Sequence, residues 1–249
     1  MTAIAPVAPG RRILNGARVH AANPFTTLGL PWLILAAVFA LTYAIWRIIA
    51  WAASSGGGLD DDAFRYAGGV SWIIFYMIAV AAQAMNQTFR FAVGLSQTRR
   101  DYFLGTAAYF GGMALIYGAG ITVLAAVERA TGGWGMGGAF FAPAFLYDAP
   151  LWVVMWSFVG LMLLMLFFGA VAGAIFLRWR ATGLVTLLLA LAAAIVGAVF
   201  LITWADAWGT VGELLGGTSV AALVAWTLPV TALLGGLAFL LLRRAAVRA

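Results

Sequence analysis

Phe89-Arg90-Phe91-Ala92-Val93-Gly94-Leu95-Ser96-Gln97-Thr98-Arg99-Arg100-Asp101-Tyr102-Phe103-Leu104-Gly105 is the densest charged segment lying between two long apolar runs of the chain. Arg90, Arg99, Arg100 and Asp101 fall within twelve positions, and Gly94 and Ser96 interrupt the helical pattern between them. The pattern predicts a long helix ending near Gly94. A second helix starts near Thr98, where Thr98 and Asp101 have the spacing of a capping box. Any helix between the two is at most one or two turns long. The segment reads as a short basic elbow that touches a separate cytosolic protein, with most of the remaining chain holding it in place or forming a path through a membrane.

Outward from the elbow the chain is apolar almost throughout. Of 249 residues, 65% are hydrophobic and 9% are charged, with a mean hydropathy of +1.03. A soluble domain is about half apolar and about a quarter charged, so this composition belongs to a bilayer protein. Six runs each exceed the roughly 20 residues needed to cross the hydrocarbon: 31–53, 69–93, 102–127, 151–177, 181–205 and 220–242. The first is longer than the ~7–15 residue core of a signal peptide. Only Arg178-Trp179-Arg180 separates the fourth and fifth runs, which predicts an antiparallel hairpin. The expected fold is therefore an all-α polytopic membrane protein, a single six-span domain over residues 1–249.

Ahead of the first span, residues 11–22 read as an amphipathic helix lying in the headgroup plane. Ile13, Leu14, Ala17 and Ala21 share one face, and Arg11, Asn15 and Arg18 the other. Orientation follows from arginine placement. Arg11, Arg12, Arg18, Arg90, Arg99, Arg100, Arg178, Arg180, Arg243, Arg244 and Arg248, eleven of the fourteen, fall on one side of the six-span layout. Every acid except Asp101 falls on the other. Both termini are then cytoplasmic, in a cell membrane. The net charge of +6 is largely a topology signal, and nucleic acid is not the expected partner.

Absent residue types exclude whole chemistries. The chain has no Cys and no Lys, and a single His, His20, outside every apolar run. Thiolate metal sites, cysteine nucleophiles, Schiff-base lysines and a G-x-x-x-x-G-K-[ST] phosphate loop are all impossible. No metal site and no catalytic residue is expected. An intramembrane serine protease would need a basic partner in the bilayer that this chain lacks.

Polar groups inside spans are candidates for function. Gln83, Asn86, Gln87 and Arg90 follow an i, i+3, i+4, i+7 pattern and make one stripe at the inner end of the second span. The stripe either emerges into water or lines a cavity. Arg47 lies near the outer edge of the first span, where it snorkels to headgroups, pairs with an outer acid, or touches an anionic cargo. These five are the candidate translocation-path residues. No carboxylate sits in mid-span, which weighs against an ion-coupled carrier. Gly169 and Gly173 form a small-x-x-x-small patch suited to close helix packing. In the outer loop 128–150, a glycine-rich stretch precedes Phe140, Phe141, Phe145, Leu146 and Tyr147. It reads as an aromatic layer at the outer headgroups or as a flexible gate. A short outer helix is expected around 211–215.

With these residues in view, Gly94-Leu95-Ser96-x-x-Arg99-Arg100-Asp101-Tyr102-Phe103-Leu104-Gly105 resembles the G-[hydrophobic]-[ST]-R-[RK]-[DE]-[aromatic]-[aromatic]-x-G signature of ATP-binding-cassette type 2 permeases, the membrane subunits of bacterial exporters. Gln97 and Thr98 stand between Ser96 and Arg99 as a departure from that pattern. The resemblance implies that the segment is a coupling helix between spans two and three. Gly94, Leu95, Ser96, Arg99, Arg100, Asp101 and Gly105 would then dock on a separate cytosolic ATPase, which binds ATP and Mg while this chain binds no cofactor. It also implies a second copy or paralogue of the permease. An ion-coupled secondary carrier and a non-transporting six-span assembly or immunity protein remain the alternatives, and the cargo is unnamed.

Overall fold

The computed structural model describes residues 16–18, 20, 25–54, 58, 60, 63–66, 69–94 and 97–244, with the side chains of Arg90 and Val93 excepted. Every regular element among these residues is helical. A π-turn over Phe25–Gly29 leads into α1 (Leu30–Ser54). α2 (Ser71–Gly94), α3 (Arg99–Ala130) and the four-residue α4 (Ala144–Tyr147) follow. α5 (Leu151–Trp204), α6 (Trp208–Gly217) and α7 (Val220–Arg244) complete the chain. Phe25–Ser54, Arg99–Ala130, Leu151–Trp204 and Val220–Arg244 are each long and apolar enough to cross a membrane. α2 has 24 residues and carries the polar stripe of Gln83, Asn86 and Gln87.

α5 is 54 residues long. A straight helix of that length would reach about 80 Å, well beyond a bilayer's hydrocarbon. It is broken at Arg180, whose φ of 57° and ψ of −146° lie outside the helical region. Beyond the break Gly183 reaches Ile175, which a continuous helix would leave two turns away. The Arg178–Arg180 separator, expected to turn a hairpin, is thus the site of a single-residue corner. Its arms differ sharply. The buried residues of α5 run from Val153 to Ala174, and the 181–204 arm has none.

The 151–179 arm is the centre of the bundle, packed by α2, α3 and α7. Contacts give the helix directions. Ile78 meets Gly169 and Met85 meets Gly173, so α2 runs parallel to this arm. Val224 meets Gly160 and Gly235 meets Phe167, so α7 runs parallel as well. α3 is antiparallel to it, with Gly118 on Val159 and Phe110 on Phe167. α1 follows α3: Thr27 lies at Tyr109 and Trp32 stacks on Tyr117. Gly169 and Gly173 serve as the small-residue patch predicts. A Cβ on Gly173 would stand 2.8 Å from that of Met85, so only glycine lets α2 approach this closely.

α2 and α3 meet at the elbow. Gly94 ends α2 and Arg99 opens α3, with Gln97 and Thr98 non-helical between them; Leu95 and Ser96 lie outside the described residues. Thr98 is the N-cap, its hydroxyl accepting from the Asp101 N–H at 3.1 Å, as the spacing predicts. That cap pulls Arg99, Arg100 and Asp101 into the first turn of α3. Four residues then separate two long helices, which leaves no room for a coupling helix of its own. Of the expected interfacial helix 11–22, residues 16–18 and His20 are helical, and the others lie outside the described residues. Gly16 and His20 are buried and Arg18 is exposed. This face therefore packs on protein, where the sequence suggested headgroups. α6 spans Trp208–Gly217 and includes the expected 211–215 turn.

Candidate functional site

Residues from four parts of the chain converge at the elbow end. Arg99 donates from its guanidinium to the carbonyl of Leu242 at 3.0 Å and also to that of Arg243. Both carbonyls belong to the last described turn of α7. Arg99 thus ties the elbow to the end of the last helix. Arg100, its neighbour, is exposed and makes no side-chain hydrogen bond or ion pair among the described residues. The two arginines that the sequence leaves equivalent have separate positions here: one points into the bundle and the other to its surface.

Gly105 also faces inward. A Cβ there would stand 2.8 Å from backbone atoms of Gly16 and Ala17, and a Cβ on Gly16 would stand 3.2 Å from the Asp101 carbonyl oxygen. The N-terminal segment and the second turn of α3 approach backbone to backbone through this glycine pair. One turn further on, His20 is 5% exposed. Its Nε2 lies 2.8 Å from the Thr106 hydroxyl, and its Nδ1 lies 3.2 Å from that of Thr88. Thr88 is also 2.9 Å from the Tyr102 hydroxyl. The imidazole stacks on Tyr109 with ring centres 5.4 Å apart. Burial pushes the His20 pKa down to about 4, so the ring is neutral at physiological pH. His20 therefore pins the N-terminal segment to α2 and α3 together.

Beside this network is a recess of about 320 Å³ between α2 and the chain leading into α1. Gln83 and Gln87 line it, together with His20, Thr27, Tyr76 and Thr88. Of the expected path residues, these two amides share one cavity. Asn86 is half-buried on a neighbouring strip of α2 and does not line it. The Arg90 side chain lies outside the described residues. Arg47 is far along α1, exposed, with no acid paired to it among the described residues. Of the four whose side chains are described, Gln83 and Gln87 are the two that share this cavity.

At the opposite end, the 128–150 loop is built around Glu128. This carboxylate is fully buried. It accepts from the Trp134 indole N–H at 2.9 Å, from the Phe140 and Ala142 N–H groups at 2.8 and 3.0 Å, and from the Phe141 N–H at 3.1 Å. The glycine run enters this arrangement through left-handed turns, with φ between 61° and 74° at Gly132, Gly133, Gly135 and Gly137. Trp134 shares the conformation at φ 61°, a cost of about 1–2 kcal/mol for a residue with a Cβ. Its bond to Glu128 offsets that cost. Arg129 reinforces the loop from the other side, donating to the carbonyls of Leu146 and Ala149 at 2.7 Å each.

The loop consequently folds inward. Phe140 and Phe141 are 0% and 3% exposed, packed on each other and on Phe39 of α1. The Val70 N–H donates to the Phe140 carbonyl, and the Ala139 N–H to that of Phe64. Among the expected aromatic-layer residues only Phe145 points outward, at 68% exposed. The aromatic stretch is a plug inside the protein, because the backbone N–H groups of 140–142 must follow the carboxylate that holds them.

Sequence reasoning did not find His20 or Glu128 as organising residues. The partners of His20 are 68 and 86 residues away, beyond any periodic signal. Glu128 did carry a signal. An acid in the last turn of a helix opposes the helix dipole, so its presence there, next to a glycine run, points to a compensating set of donors. No protein-family model, curated protein or solved structure matches this chain.

Proposed function

We propose that this chain is the membrane-spanning permease subunit of an ATP-driven exporter of the type 2 cassette class, with six spans, cytoplasmic termini and a separate ATPase docked at the 94–101 turn. The observation that carries this reading is mechanical. The turn joins α2 to α3 through Thr98, is fastened to α7 by Arg99 and is gripped by the N-terminal segment at Gly105. Force applied there reaches most of the bundle at once. Alternating directions of α1, α2, α3, the 151–179 arm and α7, with the 181–204 arm beyond the Arg180 corner, support six crossings. A chain without lysine has no phosphate-binding loop, so hydrolysis falls to the partner. In this reading the exposed Arg100 is the docking contact, and Arg99 positions the turn.

A second reading, an ion-coupled carrier, draws on Glu128, the buried carboxylate that the mid-span survey lacked. Its four donors all come from its own outer loop, which suits a loop anchor better than an ion relay. Purification of the tagged chain from native membranes in mild detergent, with mass spectrometry of its partners, separates the two. A stoichiometric protein bearing G-x-x-x-x-G-K-[ST], lost with Arg100→Glu and retained with Arg100→Lys, is the expected result. Recovery of the chain alone from an active preparation, with transport abolished by an ionophore at constant ATP, overturns the proposal.

A further inference from the structure

We infer that the recess between α2 and the N-terminal segment binds the uncharged, hydrogen-bonding head group of an amphipathic molecule, with Gln83 and Gln87 contacting that group. At about 320 Å³ the recess is at the lower end of small-molecule sites, which run from roughly 300 to 1,000 Å³. Its polar lining consists of two amides, hydroxyls and an imidazole, and no charged side chain among the described residues lines it. His20, the one titratable base there, is neutral at physiological pH. Among the described lining residues an anion meets no cation, and a cation no carboxylate. Donors and acceptors are both present, which suits hydroxyl or amide groups.

The second observation is the ridge that leads into the recess. Phe75, Ala79, Gln83 and Gln87 lie four residues apart on α2 and all are exposed. Such positions form one continuous row along a helix, here about 18 Å from first to last. The row is apolar at one end and carries amides at the other, and Leu30 and Val80 extend the apolar side within the recess. Gln83 and Gln87 have no hydrogen-bond partner among the described residues, and unpartnered amides beside hydrocarbon are costly. A molecule with its head at Gln87 and its chain along Ala79 and Phe75 satisfies both ends. The inference concerns binding and is independent of the ATP-driven reading, so failure of the partner experiment leaves it standing.

The chain has no cysteine, so Gln83→Cys supplies a unique thiol in the full-length protein. In nanodiscs, its maleimide labelling is followed against dodecyl maltoside, dodecyl phosphate and dodecyltrimethylammonium at equal mole fraction, with Leu33→Cys on exposed α1 as reference. The expected result is saturable slowing of Gln83→Cys labelling, fivefold or more, by dodecyl maltoside alone, with Leu33→Cys unchanged. Gln87→Cys repeats the measurement one turn on if the first variant folds poorly. Equal protection by all three amphiphiles, protection of Leu33→Cys to the same degree, or no protection by dodecyl maltoside overturns the inference. A thiol that does not label in the absence of amphiphile, in a folded protein, overturns it as well.

Discussion

Replacing Glu128 with Gln isolates the carboxylate's role with almost no change of shape. The two oxygens divide the donors: one takes Trp134 Nε1 and the Phe140 N–H, and the other takes the Ala142 N–H, with Phe141 shared. An amide keeps one oxygen and turns an NH2 toward the donors on the other side. With the amide oxygen kept at Trp134, Phe140 and Phe141, one buried N–H, that of Ala142, loses its acceptor, at about 1–3 kcal/mol. The loss falls on the loop, because the helices packed around the 151–179 arm make no use of Glu128. Hydrogen exchange with mass spectrometry in nanodiscs reads it directly. At about 1.4 kcal/mol per decade, amides of 139–142 should exchange about 5-fold to 150-fold faster in Glu128→Gln, with peptides from the 151–179 arm unchanged. Wild-type exchange across 139–142 in a folded Glu128→Gln protein refutes the assignment. A uniform increase over the whole bundle would also refute it, since it would make Glu128 a global support.

Three further outcomes follow from the elbow end. Arg99→Ala removes charge-assisted bonds to the last carbonyls of α7; exchange near 240–244 should rise by about ten- to a hundredfold, for a cost of about 1–3 kcal/mol, whereas Arg100→Glu should leave those peptides unchanged. Gly105→Val places side-chain atoms where the backbone of Gly16 and Ala17 already lies, so the N-terminal segment should detach and become protease-sensitive with the helical circular dichroism preserved. Docking of that segment should also depend on pH. His20 has a pKa of about 4 when docked and ~6.5 when free, so the detached state binds more protons between those values. Docking is at full strength above pH ~6.5 and weakens by about 3 kcal/mol on descent to pH 4. Limited proteolysis of the first 25 residues should thus accelerate from pH 7.5 to pH 5, and His20→Asn should flatten the profile.

The helices were legible because their signals are local. Apolar runs bounded by Gly94, by Thr98 and by the Arg178–Arg180 separator gave the ends of α2, α3 and the α5 corner to within a few residues. Thr98 and Asp101 signalled the cap through a spacing that sequence displays directly. The elbow's internal geometry was not legible. Arg99 and Arg100 are chemically identical, and only the arrival of the α7 terminus, 143 residues on, distinguishes them. The 128–150 loop misled for a different reason. Its aromatic content suits a membrane boundary and a buried plug equally, and the deciding partners of Glu128 are mostly backbone N–H groups, which every residue but proline possesses. The polar stripe was found, yet its members divided: Gln83 and Gln87 share a cavity, while Asn86, roughly 60–100° around the helix from them, lies beside it.

The aromatic plug has a consequence for the order in which the protein is made. Strands of chain around Phe64 and Val70 bond to Ala139 and Phe140, residues synthesised some seventy positions later. The segment before α2 therefore lacks these partners until α3 and the loop behind it have been made. Closure of the plug is a late event that depends on the earlier ones: it needs α1, α2 and α3 in place together, and a chain that has not closed it is left with a carboxylate lacking donors and an open aromatic surface.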